Sequence, residues 1–202
     1  MTTTNIIPSI SGTPFAGGFY VARFLCDDCE YALVVSPKNE GEIASVYWGK
    51  CVQDVAEART FNDGLSNTRG MEKAGSDVAA QIFDLVINDH NDWYLPSRDE
   101  LELCYRSLKP STQENWASFR DGDNPSSVPT GYPYTEQSPH QTLAPAFQAG
   151  GVEAFNNDWY LSSTQYSPGN AWIQTFDGGF QSGGRKDVAR RARAVRRVKV
   201  TP

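Results

Sequence analysis

Residues 91–97 read NDWYLPS, and residues 157–163 read NDWYLSS. Six of the seven letters agree across 66 positions. Such a repeat marks duplicated domains, two equivalent corners of one domain, or coincidence among common strand letters. The continuations of the two copies separate these possibilities. After the first, Ser97 opens S-R-D-E, a capping box with Glu100 three residues on. SRDELELCYRSL then predicts a helix to about Leu108, with Leu101, Cys104, Tyr105 and Leu108 as its apolar stripe. Pro96 fixes the bend into it, and Lys109-Pro110 ends it. After the second copy, Ala171, Ile173 and Thr175 alternate with Trp172, Gln174 and Phe176, and FDGGF supplies a turn. That copy feeds an antiparallel meander. Unlike continuations argue against tandem repeats. They favour one local solution used twice: an Asn or Asp turn, Trp and Tyr entering the core, and Ser ending the strand. Trp93 and Trp159 are then core residues.

Working outward, GGFYVARFLCDDCEYALVVSPK (17–38) predicts two strands joined by an acidic turn, and EIASVYWGK (42–50) a third. VAEARTFNDGLSNTRGM (55–71) reads as a loop. A helix is expected near Asp77 to Val86, with Ala79, Ile82, Phe83 and Val86 on one face. Residues 110–150 hold six of the twelve prolines and predict a long ordered loop, pinned by Trp116, Phe119, Tyr132, Tyr134 and Phe147. LAPAFQAGG within it predicts a short helical turn. VARRARAVRRVKV predicts a last strand. The organisation expected is a polar arm at 1–14 and one domain over 15–202.

With 39% hydrophobic and 12% aromatic residues, the aromatics must carry much of the core. No apolar run approaches the roughly 18 residues of a membrane span. MTTTNIIPSIS has neither a basic nor an apolar leader region, so no secretion signal is expected. The protein is expected to be made in the cytoplasm, and used there or released by lysis. The net charge of −6 divides into +7 over residues 185–202 and −13 over the rest. In ARARAVRRVKV, Ala192, Ala194, Val198 and Val200 share one parity and Arg191, Arg193, Arg197 and Lys199 the other. This alternation predicts a half-buried strand, its charges paired with the acidic remainder or facing a partner rather than nucleic acid. Cys26 and Cys29 sit at a hairpin tip, and His90 and His140 fall in no ligand pattern. Reduced thiols are expected, with no metal and no cofactor.

DWYLPSRDELELCY, then WYLSSTQYSPGNAWIQTF and ARAVRRV, resembles the Lcl/DUF1566 family, in its phage-borne form. The residues that carry the likeness are Trp93, Leu95, Pro96, Ser97, Glu100 and Leu101, then Ser162, Ser163, Thr164, Ala171, Trp172, Gly178, Arg193, Val195, Arg196 and Arg197. It covers roughly residues 15–200, and Leu161 departs from the aromatic residue usual before S-S-T. The resemblance implies an α+β, C-type lectin-like fold: two helices, a small antiparallel sheet and a long loop excursion. It also implies a binding module on a virion or phage particle surface.

The function expected is therefore non-enzymatic recognition of a host surface glycan or protein through the sheet face and the long loop. Gln165, Tyr166, Asn170, Gln174, Gln181, Arg185 and Lys186 are the candidate ligand-binding residues, because such side chains offer contact area and hydrogen bonds at low ordering cost. The alternative is a structural virion component, a capsid decoration or tail-attached protein acting through assembly contacts with other virion proteins, and a homo-oligomer would favour it. Calcium-dependent sugar binding lacks the EPN, QPD and WND triplets of lectins of that fold. EGE (40–42), DGD (121–123) and NND (156–158) offer oxygens, but Ca²⁺ needs six to eight that converge. Formylglycine-generating enzymes share the fold class but carry a reactive cysteine late in the chain, whereas all four cysteines here precede residue 105. A Cys104–His140 pair is the remaining nucleophile arrangement, and Cys104 falls on the apolar helix stripe.

Overall fold

The computed structural model describes residues 6–118 and 120–201. Residues 1–5 of the expected arm, and Phe119 of the expected loop anchors, lie outside the described residues. In chain order the elements are β1 (Pro14–Phe15), β2 (Gly18–Cys26), β3 (Cys29–Val35), α1 (Lys38–Gly41), β4 (Glu42–Val46), α2 (Gly64–Lys73), α3 (Asp77–Phe83), α4 (Arg98–Leu108), β5 (Ser127–Val128), a 3-10 turn (Pro145–Phe147), β6 (Trp159–Ser167), β7 (Asn170–Thr175), β8 (Gln181–Arg185), β9 (Arg190–Arg193) and β10 (Val195–Lys199). One sheet runs β1-β2-β3-β10, with β5 also on β2; the other runs β4-β9-β6-β7-β8. No helix among the described residues is long and apolar enough to cross a membrane.

This corrects the expected C-type lectin-like fold of two helices and a small sheet. Ten strands in two five-stranded sheets dominate, with four short helices. Two features, both made by distant contacts, contribute to the difference. The expected single last strand breaks at Ala194, whose N–H donates to the Gly41 carbonyl and whose carbonyl accepts from the Ser36 N–H. Its first half joins β4 and β6, and its second half joins β3. The second half of the loop expected at 55–71 is instead the start of α2. Asp63 caps it, its carboxylate accepting from the Ser66 N–H at 3.0 Å. Gly, Asn and Thr are poor helix formers. Tertiary contacts override them: Asn67 is bonded to Thr60 and Thr164, and Met71 is fully buried. The helix at 77 also stops at Phe83, leaving Val86 exposed rather than on a buried face.

Elsewhere local chemistry matches the chain. Asp27 and Asp28 both take positive φ in the β2–β3 turn, a conformation Asp tolerates. The long loop is ordered around buried Tyr134 and Phe147, while Trp116 and Tyr132 are exposed. The 3-10 turn supplies the expected helical turn.

The repeated words now have a place. Two apolar clusters lie side by side. Tyr94 and Tyr160 both enter the first, with Val21, Phe24, Leu101, Tyr105 and Phe176. Leu95, Leu161 and Trp93 enter the second, with Trp48, Met71, Ile82 and Ile173, and Trp159 packs against it only partly buried. Alternation along an extended chain sends Tyr one way and Trp and Leu the other. The copies touch: the Ser163 N–H donates to the Pro96 carbonyl at 2.7 Å, and the Arg98 N–H donates to Thr164 Oγ1 at 2.9 Å.

Beyond this junction α4 is buried almost all round, its polar residues Arg98, Asp99, Glu100 and Glu102 included. Buried polar groups need partners. Glu100 completes the capping box on Ser97. It also accepts from the Gly64 N–H at 3.0 Å and from the Tyr94 hydroxyl at 2.6 Å, tying α2, the first copy and α4 together. Gly64 is required there, because a Cβ would fall 2.3 Å from the Glu100 carboxylate. Asp99 and Glu102 hold the long loop through Ser126, Asn124 and Tyr134.

Burial pushes the Glu100 carboxyl from 4.5 up to about 7, opposed by the hydrogen bonds from Tyr94 and Ser97. The folded chain therefore keeps a proton that the unfolded chain releases between these values. This stability is fully present below the unfolded pKa and is lost as pH rises through about 7. Glu100→Gln, which keeps the shape, should remove roughly 3 kcal/mol of the wild-type loss of stability between pH 5 and pH 8, measured by urea unfolding. Equal pH dependence in both proteins would contradict this.

Candidate recognition surface

Four of the seven candidate side chains lie inside the molecule. Gln165 accepts from the Val55 N–H at 2.8 Å and from Lys186 Nζ at 2.6 Å, and donates to Asp54. Lys186 is fully buried, 4.2 Å from the Trp48 ring centroid, and also donates to the Gln53 carbonyl. Burial pushes its ammonium from 10.5 down to about 8, against the pull of Asp54. Gln174 donates to the Tyr134 hydroxyl and the Gly179 carbonyl. Gln181 accepts from Arg98 Nη2 at 3.0 Å. These four knit the second sheet to α4 and to the loop at 53–55. Of the other three, Arg185 is exposed and clamped to Asp187 at 2.6 Å, and Asn170 donates to Ser167 in the β6–β7 turn. Tyr166 is 55% exposed.

Tyr166 belongs to a surface cluster that the candidate set did not contain. Its ring meets half-buried Trp172 edge-on at 4.9 Å, and Trp172 meets Phe61 edge-on at 6.0 Å. Phe61 is 46% exposed. Beneath these rings lies the Arg98 guanidinium, 5.3 Å from the Phe61 centroid and 5.1 Å from that of Trp172. Arg98 is only 7% exposed and is held by Asp99, the Asp123 carbonyl and Gln181. A cation over aromatic faces in a dry setting is worth about 2 kcal/mol. The rings are thus backed by a rigid support.

Each ring is placed by local structure. The Phe61 carbonyl accepts from the Asp99 N–H at 2.9 Å, which fixes the loop to the start of α4. Trp172 sits mid-strand opposite Gly183. Tyr166 lies over that same glycine, where a Cβ would come within 2.9 Å of its ring. The alternation around Trp172 did not single it out, because Gln174 and Phe176 on its parity are as buried as Ala171, Ile173 and Thr175 on the other. Phe61 sat in a segment that read as polar loop, and Arg98 read only as the second residue of a capping box.

Most arginines of the basic tail are paired with carboxylates. Arg191 bonds Glu42 and Asp158, Arg193 bonds Glu153, Arg196 bonds Asp92, and Arg197 bonds Asp63. Arg193 stands on the polar parity yet is sealed, because β9 lies inside its sheet; it stacks 4.8 Å from Phe155. The oxygens of EGE, DGD and NND are largely engaged within the chain: Glu42 and Asp158 on Arg191, and Asp121 on the Gln181 N–H and Ser118.

All four cysteines are free thiols. Cys26, Asp27 and Asp63 bring possible metal-ligand atoms within 4.8 Å of one another. Arg197 Nη1 already occupies that space, 3.2 Å from Cys26 Sγ and 3.1 Å from Asp63. Burial pushes the Cys26 thiol up to about 11, so neither charge nor ionisation suits a cation there. Cys104 is buried in the first cluster, its thiol raised well above its usual value by burial, while His140 is on the exposed loop. Neither protein-family models nor curated proteins match this chain.

Burial separates the candidates by cost. Gln165→Ala leaves Lys186 Nζ and the Val55 N–H short of an acceptor and should cost about 2–4 kcal/mol in urea unfolding. Tyr166→Ala, at the surface, should cost under about 1 kcal/mol. Similar costs for both would contradict the assignment.

Proposed function

We propose that this chain is a non-enzymatic recognition module that engages a host surface glycan or protein through Phe61, Tyr166 and Trp172. The observation that carries the reading is a surface cluster of exposed Phe61 and Tyr166 around half-buried Trp172, with buried Arg98 against the Phe61 and Trp172 rings. Trp, Tyr and Arg are the residues that dominate binding energy at interfaces. Rings fixed before binding lose little freedom on binding, so more of their contact energy appears as affinity. The setting proposed, the surface of a phage particle, rests on the Lcl/DUF1566-like motifs alone.

Fluorescently labelled protein should bind intact host bacteria saturably. Phe61→Ala with Tyr166→Ala should weaken that binding at least about tenfold while leaving the fold intact by circular dichroism. Unchanged binding by the double variant would overturn the assignment to this surface. Absent cell binding, with stable incorporation into purified virions, would replace it by the structural role.

A further inference from the structure

The turn after β7 and the chain after α4 meet at a second aromatic surface. The Trp116 N–H donates to the Gly178 carbonyl at 2.7 Å. Asn115 beside it is buried, its Oδ1 accepting from the Tyr105 hydroxyl at 2.7 Å and from Lys109 Nζ at 2.8 Å. The backbone that carries Trp116 is therefore fixed, while its side chain leaves the residue 59% exposed. Half-buried Phe180 joins Trp116 to half-buried Trp159, at centroid distances of 5.4 Å and 6.0 Å. This ledge and the Phe61–Trp172–Tyr166 cluster lie on opposite faces of the second sheet. Trp159 stands opposite Thr175, and the Thr175 N–H donates to the Phe180 carbonyl across from it at 3.0 Å. Residues directly opposite share a face. Trp172 comes three residues before Thr175 on β7 and so points to the other face.

The two segments that meet there each carry an exposed carboxylate. Glu114 comes two residues before Trp116, and Asp177 comes just before Gly178. The segments are in close contact at that point, because a Cβ on Gly178 would lie 3.4 Å from the Glu114 carbonyl oxygen. Neither carboxylate has a hydrogen bond or ion pair with the described residues. Asp158, beside Trp159, is by contrast paired with Arg191. The ledge thus offers aromatic faces next to negative charge that the chain itself leaves uncompensated. The balance of −13 over residues 1–184 adds a long-range pull on cations.

Rings and unpaired carboxylates together select a cation, and Trp is the ring that holds one best. Among protein cations the guanidinium fits both features. It is planar and stacks on an aromatic face, and its fork of N–H donors matches a carboxylate, whereas an ammonium is a compact, strongly hydrated point charge. Trp and Arg also dominate the binding energy of protein interfaces, where such anchors pair across the contact. We infer that the Trp116–Phe180–Trp159 ledge binds an arginine side chain presented on an exposed segment of a partner protein. The guanidinium stacks on Trp116 and donates to Glu114 or Asp177. This surface is independent of the Phe61–Trp172–Tyr166 cluster and of the function read from it.

The test is an NMR titration of the whole ¹⁵N-labelled chain, read at the tryptophan indole N–H signals. The probe is the capped peptide Gly-Ser-Arg-Ser-Arg-Ser-Gly. Its controls carry lysine, or citrulline, the neutral counterpart of arginine, in place of both arginines. The arginine peptide should shift the Trp116 and Trp159 signals saturably and leave that of Trp172 in place. The citrulline peptide should bind at least about tenfold more weakly, and the lysine peptide more weakly than the arginine one. Trp116→Ala, and separately Glu114→Gln with Asp177→Asn, should each weaken binding at least about tenfold, read at Trp159, which every variant keeps. These side chains are exposed, so unfolding is not expected, and unchanged thermal unfolding checks it. Phe61→Ala with Tyr166→Ala should bind as the wild type does, whatever becomes of its binding to cells. No saturable shift, equal binding of the citrulline or lysine peptide, or full affinity in either ledge variant would each overturn the inference.

Discussion

Glu100 is a carboxylate with no access to water, and the rest of the molecule is arranged around its needs. α4 passes between the layers with little of its surface left to solvent, so its polar residues cannot use water as a partner. Ser97, Gly64 and Tyr94 supply the donors that Glu100 requires. They come from two segments: Tyr94 and Ser97 from the first repeated word, and Gly64 from the start of α2. A charge buried without such partners would cost several kcal/mol. Satisfying it fixes where α2 begins, and α2 in turn positions Thr60 and Phe61 through Asn67. Asp99 and Glu102 extend the same logic to the long loop. The exposed aromatic surface is thus an outcome of what the helix demands inside.

The repeated NDWYL words serve this arrangement rather than symmetry. Both cross between two apolar clusters, and both send Tyr to one and Leu to the other. One then turns into a helix because Pro96 and a capping box come next. The other continues as β6 because Ser-Ser-Thr-Gln comes next. Tyr94 and Tyr160 each spend their hydroxyl on a carboxylate, Glu100 and Glu42. A Tyr at that position buries a large ring and still reaches a polar partner.

Much of the local structure was legible because it has local causes. The capping box at Ser97 and the Asp-Asp hairpin turn were written in short stretches, whereas the basic tail announced only that it would need acidic partners and not which distant ones. What was not legible depends on distant contacts. Half of α2 is spelled in residues that disfavour helices, and it is held by the contacts that Gly64, Asn67 and Met71 make with other segments. The break at Ala194 comes from its bonds to Ser36 and Gly41, about 150 residues away in sequence, and no pattern of alternation encodes it. That break sends β9 and β10 to different sheets, which the expected single last strand could not do. Among the candidate binding residues, glutamine looked like a surface group. Gln165, Gln174 and Gln181 instead satisfy buried partners, and only Tyr166 lies in the exposed aromatic cluster.

Amide hydrogen exchange by NMR tests the central claim most directly, namely that the junction of the two words with α2 and α4 is the most firmly held part of the chain. Gly64, Ser97, Arg98 and Ser163 carry the N–H groups that close it. The account predicts that all four exchange only through global unfolding, with the same free energy as the slowest amides of β3 and β6. Rapid exchange at Gly64 or Ser163 while those strands stay protected would mean that the junction opens by itself, and the account would fail.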